Sequence, residues 1–365
     1  MTNRITKTGK KAPPRIFKAA HMRLADFDVL DRDKTLFILP VGSLEAHGWH
    51  LPHDTDMTEA LIMAEETGRL FAGKHRDWTV VVMPLLNIGT DELPLPGSVE
   101  FSRKTVYRAL REYARSLWRY GFRNLVITNG HGGLRHNLAI DDSCRTCNRK
   151  YGMRMTSPAI LAFQEFIFGK RFPLIERELG RKLAPEEKAG LIDIEHAGGW
   201  ETSVLLAADR KHVSADFRKY RSSRIRLGEG AVRRARSLEK IIRMLPVLRG
   251  TLRALGLPLE EGFRILLTAG RMYDQKKERF TYSGDPGVAK ADIGAAWIGA
   301  LPKEILASIE PVYITGETHP SRIVSNYSTI LFLRRDFAIA LIWTGVVLAA
   351  CAAVLICFRA GIISL

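Results

Sequence analysis

The chain is 365 residues long, 46% hydrophobic, and carries 55 Lys+Arg against 39 Asp+Glu, a formal charge of +16. That length and apolar content exclude a disordered chain and suffice for one large domain or two smaller ones, while the charge favours anionic partners without choosing among them. Four cysteines do not make a disulfide framework in a chain this long, and Cys144-x-x-Cys147 lacks a second pair to complete four-coordinate zinc, so it reads as two reduced thiols on a helix.

Residues 1–20 form a basic extension with no apolar run, which is not a secretory signal. "TLFILPVG" (35–42), "WTVVVMPLL" (78–86) and "NLVITNG" (124–130) are short apolar runs ended by Gly or Asn, and they predict buried parallel strands. Between them, 57–73 and 102–121 carry apolar residues at helical spacing, the second closing on Gly121 as a C-cap does. Strand and helix alternate, so the fold class is α/β with helices on both faces of a mainly parallel sheet.

In such sheets ligands collect at the carboxyl ends of the strands. "GSLEAHGWHLPHDTD" (42–56) follows the first strand, "NIGTDELPLPGS" (87–98) the second, and "NGHGG" (129–133) the third. Glu45 and His47, two apart, point to one side of an extended segment, and Asp56 returns past a "HLP" turn. His131, flanked by Gly130, Gly132 and Gly133, supplies a further ligand with little bulk around it. Two carboxylates with two imidazoles suit Zn²⁺, Mn²⁺ or Fe²⁺ better than Ca²⁺. We expect two ions per subunit, zinc foremost: Asp56 bridges, Glu45 and His131 complete one ion, and His47 with Glu201 of "DIEHAGGWETS" (193–203) holds the other. Such a pair can activate water and polarise a carbonyl at once, which is hydrolase chemistry. His196 is the candidate proton shuttle, oriented by Glu195 or Asp193. His50, His53 and Asp54 are expected to be structural or rim residues.

Further along, 210–243 holds twelve Lys/Arg and three acids, and residues 231–248 can form a helix with one apolar face. It could rest on anionic lipid or simply be a solvated insertion. Residues 337–358 contain no charge and no proline. As a helix they would be about 33 Å long, enough for a bilayer core, and the flanking Arg334, Arg335 and Arg359 place the large domain on the cytoplasmic side. The sequence thus predicts a tail-anchored, single-pass membrane protein.

The segments "GSLEAHGWHLPHDTD", "PGS" (Pro96–Ser98), "NGHGGL", "HAGGWETS" and "SGDPGVAKADIG" (283–294) resemble, in order, the hallmarks of the creatininase family of metal-dependent amidohydrolases. The resemblance covers about 20–310, with the basic insertion at about 210–280, a linker at 311–336, the apolar helix at 337–358 and a tail at 359–365. It implies a three-layer αβα sandwich, Glu45, His47, Asp56 and His131 as metal ligands with Asp56 bridging, and a homo-oligomer. By the same resemblance, Gly132 and Gly133 of the turn, and Gly97 and Ser98 of the "PGS" loop, are candidate substrate-binding positions. The sequence departs from the family pattern at Ala46, in place of Gln, and at Leu134, in place of Asn. Gly133 stands where creatininase itself has a glutamate ligand. The reading is a hydrolase of a non-peptide C–N bond in a small-molecule amide, with nucleic acid not expected as a partner. The alternatives are a peptidase of a modified-peptide maturation pathway, or a non-catalytic binding protein at the membrane.

Overall fold

The computed structural model of the protein describes residues 13–192, 195–220, 222–223, 227–244, 267–268 and 281–324. Its sheet contains β1 (Ile16–Lys18), β2 (Thr35–Gly42), β3 (Thr79–Val82), β4 (Leu86–Asn87), β5 (Asn124–Asn129) and β6 (Arg154–Thr156), in the order β1-β3-β2-β5-β6 with β4 paired to the far end of β2. Every pairing is parallel. All eight residues of β2 are buried, as an apolar strand between two helical layers requires.

The run read from sequence as one strand, 78–86, divides into β3 and β4 around Met83-Pro84-Leu85. The division accommodates Pro40 in the middle of β2. Ile38 and Gly42 accept from Met83 and Ile88 on that side of the strand. Pro40, between them, has no N–H to offer and faces the gap. Ile16–Lys18, within the basic extension, pairs as the edge strand β1.

The helices are α1 (Leu24–Asp28), α2 (Thr55–Lys74), α3 (Arg103–Arg119), α4 (Leu134–Tyr151), α5 (Ala159–Ile167), α6 (Phe172–Leu179), α7 (Pro185–Leu191), α8 (Gly199–Ala208), α9 (Glu229–Met244) and α10 (Ala291–Tyr313). Ser102 caps α3 by accepting from the Thr105 amide, and Gly121 follows the helix with φ +89°. Side-chain alternation along the strands builds the layers. Phe37, Leu39, Val41, Leu125 and Ile127 pack on α3 and α4. Leu36, Ile38, Val80, Val82 and Val126 pack on α2 and α10. A separate cluster around Trp200 and Trp297, both essentially inaccessible, joins α5, α6, α8 and α10 and so fixes α8 beside the sheet's carboxyl edge. Cys144 and Cys147 are free and buried on α4.

The expected placement at a membrane is corrected. Among the described residues no helix is long and apolar enough to cross one. The longest, α10, has 23 residues but carries Asp292, Lys303, Glu304 and Glu310, and two prolines lie inside it. The apolar run at 337–358 lies outside the described residues, as do 245–266 and 269–280 of the basic insertion. Of the helix expected over 231–248, residues 231–244 are helical within α9, and 245–248 lie outside the described residues.

Candidate metal centre

Four segments meet at the carboxyl edge of the sheet. The end of β2 delivers Ser43 to Gly48, the first turn of α2 delivers Asp56, the end of β5 delivers His131, and the start of α8 delivers His196 and Glu201. Close backbone approach makes this meeting feasible. A methyl group at Gly130 would stand 2.2 Å from the Asp56 carbonyl oxygen, and one at Gly42 would stand 2.8 Å from the Met57 backbone, so α2 can seat its first turn there only against glycine.

Three sets of potential ligand atoms result, each within 4.8 Å of one another: Glu45, Asp56 and His131 in one, His47, Asp56 and Glu201 in a second, and Glu45, His47 and His196 in a third. Asp56 is common to the first two, and all six residues are buried. His131 Nδ1 is 3.0 Å from both Glu45 Oε2 and Asp56 Oδ2. His47 Nε2 is 3.0 Å from Asp56 Oδ1 and 3.6 Å from Glu201 Oε2.

The outward ring nitrogens set the tautomers. His47 Nδ1 donates to the Glu45 carbonyl at 3.0 Å, and His131 Nε2 donates to the Thr90 carbonyl at 3.1 Å. Each ring therefore keeps its hydrogen on the outer nitrogen and directs the inner nitrogen at carboxylate oxygens. Lone pairs facing lone pairs at 3 Å need a positive charge between them, either a proton or a metal cation. In the metal-free chain a proton serves. Burial disfavours an imidazolium at His47, but Asp56, Glu201 and Glu45 override it and push its pKa up to about 10. His131 goes the same way, raised well above its ordinary value by Glu45 and Asp56 despite burial. Asp56, although burial opposes its ionisation, is held well below the usual carboxylate range by His47 and His131. Glu201 rises to about 7, through burial and the nearby Asp56 charge. Donor type, burial and converging lone pairs all fit divalent cations.

The remaining residues singled out in the sequence are placed as follows. His196 stacks on His47 with ring centroids 4.4 Å apart, and its Nε2 donates to the Ala46 carbonyl at 2.9 Å. Burial lowers its pKa to about 4. Glu195, expected to orient His196, has its Oε1 accepting from the Trp200 and Glu201 amides at 2.8 and 3.0 Å, an anion at the start of α8. It is the Ala46 carbonyl that anchors the His196 ring, and Asp193 lies outside the described residues. Glu201 accepts from the Ala197 amide, and Ala197 adopts φ +51°. Ser98 Oγ accepts from the Ala46 amide at 3.0 Å, which gives it a structural task beside the site. Gly97 lies against His53, whose Nε2 donates to Pro96 O. A methyl group at Gly132 would meet nothing within 4 Å, whereas one at Gly133 would stand 2.5 Å from His131 Nε2 and 2.7 Å from Thr90 O. His50 is buried and bonded to Thr202 Oγ1, and Asp54 precedes α2.

Several contributors carried no expectation from sequence. Ser43 Oγ donates to Asp56 Oδ2 at 2.7 Å, and the Leu93 amide donates to Glu45 Oε1 at 2.6 Å. Glu59, one turn after Asp56 on α2, is buried, and burial together with Glu201, Asp56 and Glu195 raises its pKa well above the usual value. Glu92 is buried with neither carboxylate oxygen hydrogen-bonded, and burial raises its pKa to about 7. The i, i+3 spacing of Asp56 and Glu59 on a helix was a readable signal for Glu59.

Known proteins share this arrangement of segments. The model of the creatininase family, described as creatinine amidohydrolase, matches residues 20–309. Creatinine amidohydrolase of Pseudomonas putida is 26% identical over 182 residues, 47% of this chain and 64% of that protein. A mycofactocin precursor peptide peptidase of Mycolicibacterium smegmatis is 37% identical over 100 residues, 27% of this chain and 40% of that protein. The chain spans less than two thirds of the length of either relative. Among solved structures, one described as "Creatininase Mn" is 18% identical, covers 81% of this chain and 98% of its own, and superposes with a TM-score of 0.53. A crystal structure of creatinine amidohydrolase gives 17% identity and a TM-score of 0.52. At such identities the likeness to solved structures is one of fold. Because the family match runs through every segment that builds the site, the chain belongs to the creatininase family.

Proposed function

We propose that the protein is a divalent-metal-dependent hydrolase that opens a non-peptide C–N bond, an amide, cyclic amide or formamide, in a small molecule. The observation that carries this reading is the pair of buried three-residue ligand sets sharing Asp56. Glu45, Asp56 and His131 would hold one ion, and His47, Asp56 and Glu201 the other. Bound there, two divalent ions supply Lewis acidity toward a carbonyl oxygen and make water a nucleophile near neutral pH. The chain's own residues do the rest. Thr90 O and Glu45 O fix the imidazole tautomers, Ser43 Oγ and Leu93 N hold the carboxylates in register, and burial excludes bulk water. His196, with its hydrogen committed to Ala46 O, has Nδ1 as the atom that can accept a proton and pass it to the departing nitrogen. Glu195 holds the amides of α8 and thereby the start of the helix that bears Glu201. A second reading, cleavage of a peptide, is favoured by the 37% identity to a mycofactocin precursor peptide peptidase.

Metal analysis of the purified chain tests the proposal. About two divalent ions per chain are expected, and Asp56→Ala should lose both because one carboxylate serves each set. A wild-type chain without stoichiometric metal would refute it. Chelator-sensitive hydrolysis of cyclic ureas and formamides, as against short peptides, separates the two substrate readings.

A further inference from the structure

We propose that Arg135 is a positioning residue which sets the Glu45–Asp56–His131 half of the site, and leaves the other half alone, by clamping the loop 88–93 onto α4. This inference rests on the two-ion reading above. The loop supplies both orienting bonds of that half: Thr90 O accepts from His131 Nε2 at 3.1 Å, and the Leu93 amide donates to Glu45 Oε1 at 2.6 Å. Between those two anchors lies Asp91, a non-glycine residue with φ +77°, a backbone state that persists only where the surroundings hold it. Arg135, in the first turn of α4, does the holding. Its backbone amide and its Nε both donate to the Asp91 carboxylate, and its Nη2 donates to Glu100 Oε1 at 2.8 Å. Glu100 in turn accepts from Thr90 Oγ1 at 3.5 Å, so the guanidinium spans both sides of the loop.

The other half takes its orientation elsewhere. His47 is set by the Glu45 carbonyl and Glu201 by the Ala197 amide. Gly133 completes the arrangement, because the space a side chain would need there is filled by Thr90 O, His131 and the Asp91 Cβ. The glycine lets the loop close on the histidine. Arg135 itself is 56% exposed, so truncating it opens no cavity in the core.

The experiment is a titration of the full-length chain with Mn²⁺ in competition with a chromophoric chelator, which resolves two stepwise affinities. Arg135→Ala should weaken one ion roughly tenfold, the scale of lost outer-layer support, and leave the other unchanged. Asp91→Ala should do the same from the other side of the clamp, and the double variant should lose less than the sum of the two single ones, since the bond from Arg135 Nε to Asp91 is common to both. In a Glu201→Gln background, which retains only the Glu45 half, Arg135→Ala should still weaken the remaining ion. In a Glu45→Gln background it should change nothing. Circular dichroism of each variant checks that the fold persists. The inference is overturned if both affinities fall together, or if neither moves while the wild type binds two ions. A wild type that binds no Mn²⁺ would overturn the two-ion reading itself, and this inference with it.

Discussion

Loading the site with metal should expel protons, and the structure sets the number. In the metal-free chain His47 has a pKa of about 10 and His131 one well above its ordinary value, so at pH 7 both are imidazolium. A ligating nitrogen must present its lone pair, hence each ring gives up one proton as its ion enters. Glu201, raised to about 7, holds a further fraction of a proton at that pH. The expected release is therefore at least about two protons for two ions at pH 7, to which any water ionised at the site adds. The sign follows: the raised imidazole pKa values make metal binding weaker at low pH, and the product of the two affinities rises about a hundredfold per pH unit. Isothermal titration calorimetry in two buffers of different ionisation enthalpy measures the release directly. A value near zero would show that the imidazoles enter as neutral ligands or not at all, and would refute the reasoning about converging lone pairs.

Two other predictions concern the frame around the site. Gly133→Glu introduces the side chain that stands at this position in creatininase itself, yet its Cβ alone would stand 2.5 Å from His131 Nε2. Fewer bound ions and a lower melting temperature are expected, and a gain in metal affinity would contradict the packing described. Trp297→Ala empties a fully enclosed indole site in the cluster that joins α8 to α10 and should cost about 3–5 kcal/mol in urea denaturation. A loss below about 1 kcal/mol would mean that this cluster does not hold α8.

Much of the site was readable because three strands of a parallel sheet end on one edge, and the residues that follow them have nowhere else to converge. That logic, applied to Glu45, Asp56 and His131, needed only strand ends and a turn. It failed where backbone groups act: Thr90 O and Leu93 N orient a histidine and a carboxylate, but a carbonyl or an amide has no signature in composition. Glu195 shows the same limit: its Oε1 meets the Trp200 and Glu201 amides, backbone donors that composition does not announce. The divided strand was foreshadowed by Pro84 and by Pro40 opposite the gap. The apolar run at 337–358 shows the opposite difficulty, since hydropathy alone reports what a segment could do and not where it lies.

The two halves of the site have different histories in the chain. Glu45 lies in the loop after β2, Asp56 in the first turn of α2 and His131 in the turn after β5, so all three precede α4, and the pairing of β2 with β5 brings them together. The half containing Glu201 must wait for α8, whose leading histidine meets the Ala46 carbonyl across 150 positions of chain. Loop-closure entropy is larger for that second junction, and on the two-ion reading a second cation would bind only where α8 has docked, so its occupancy would report a closed domain.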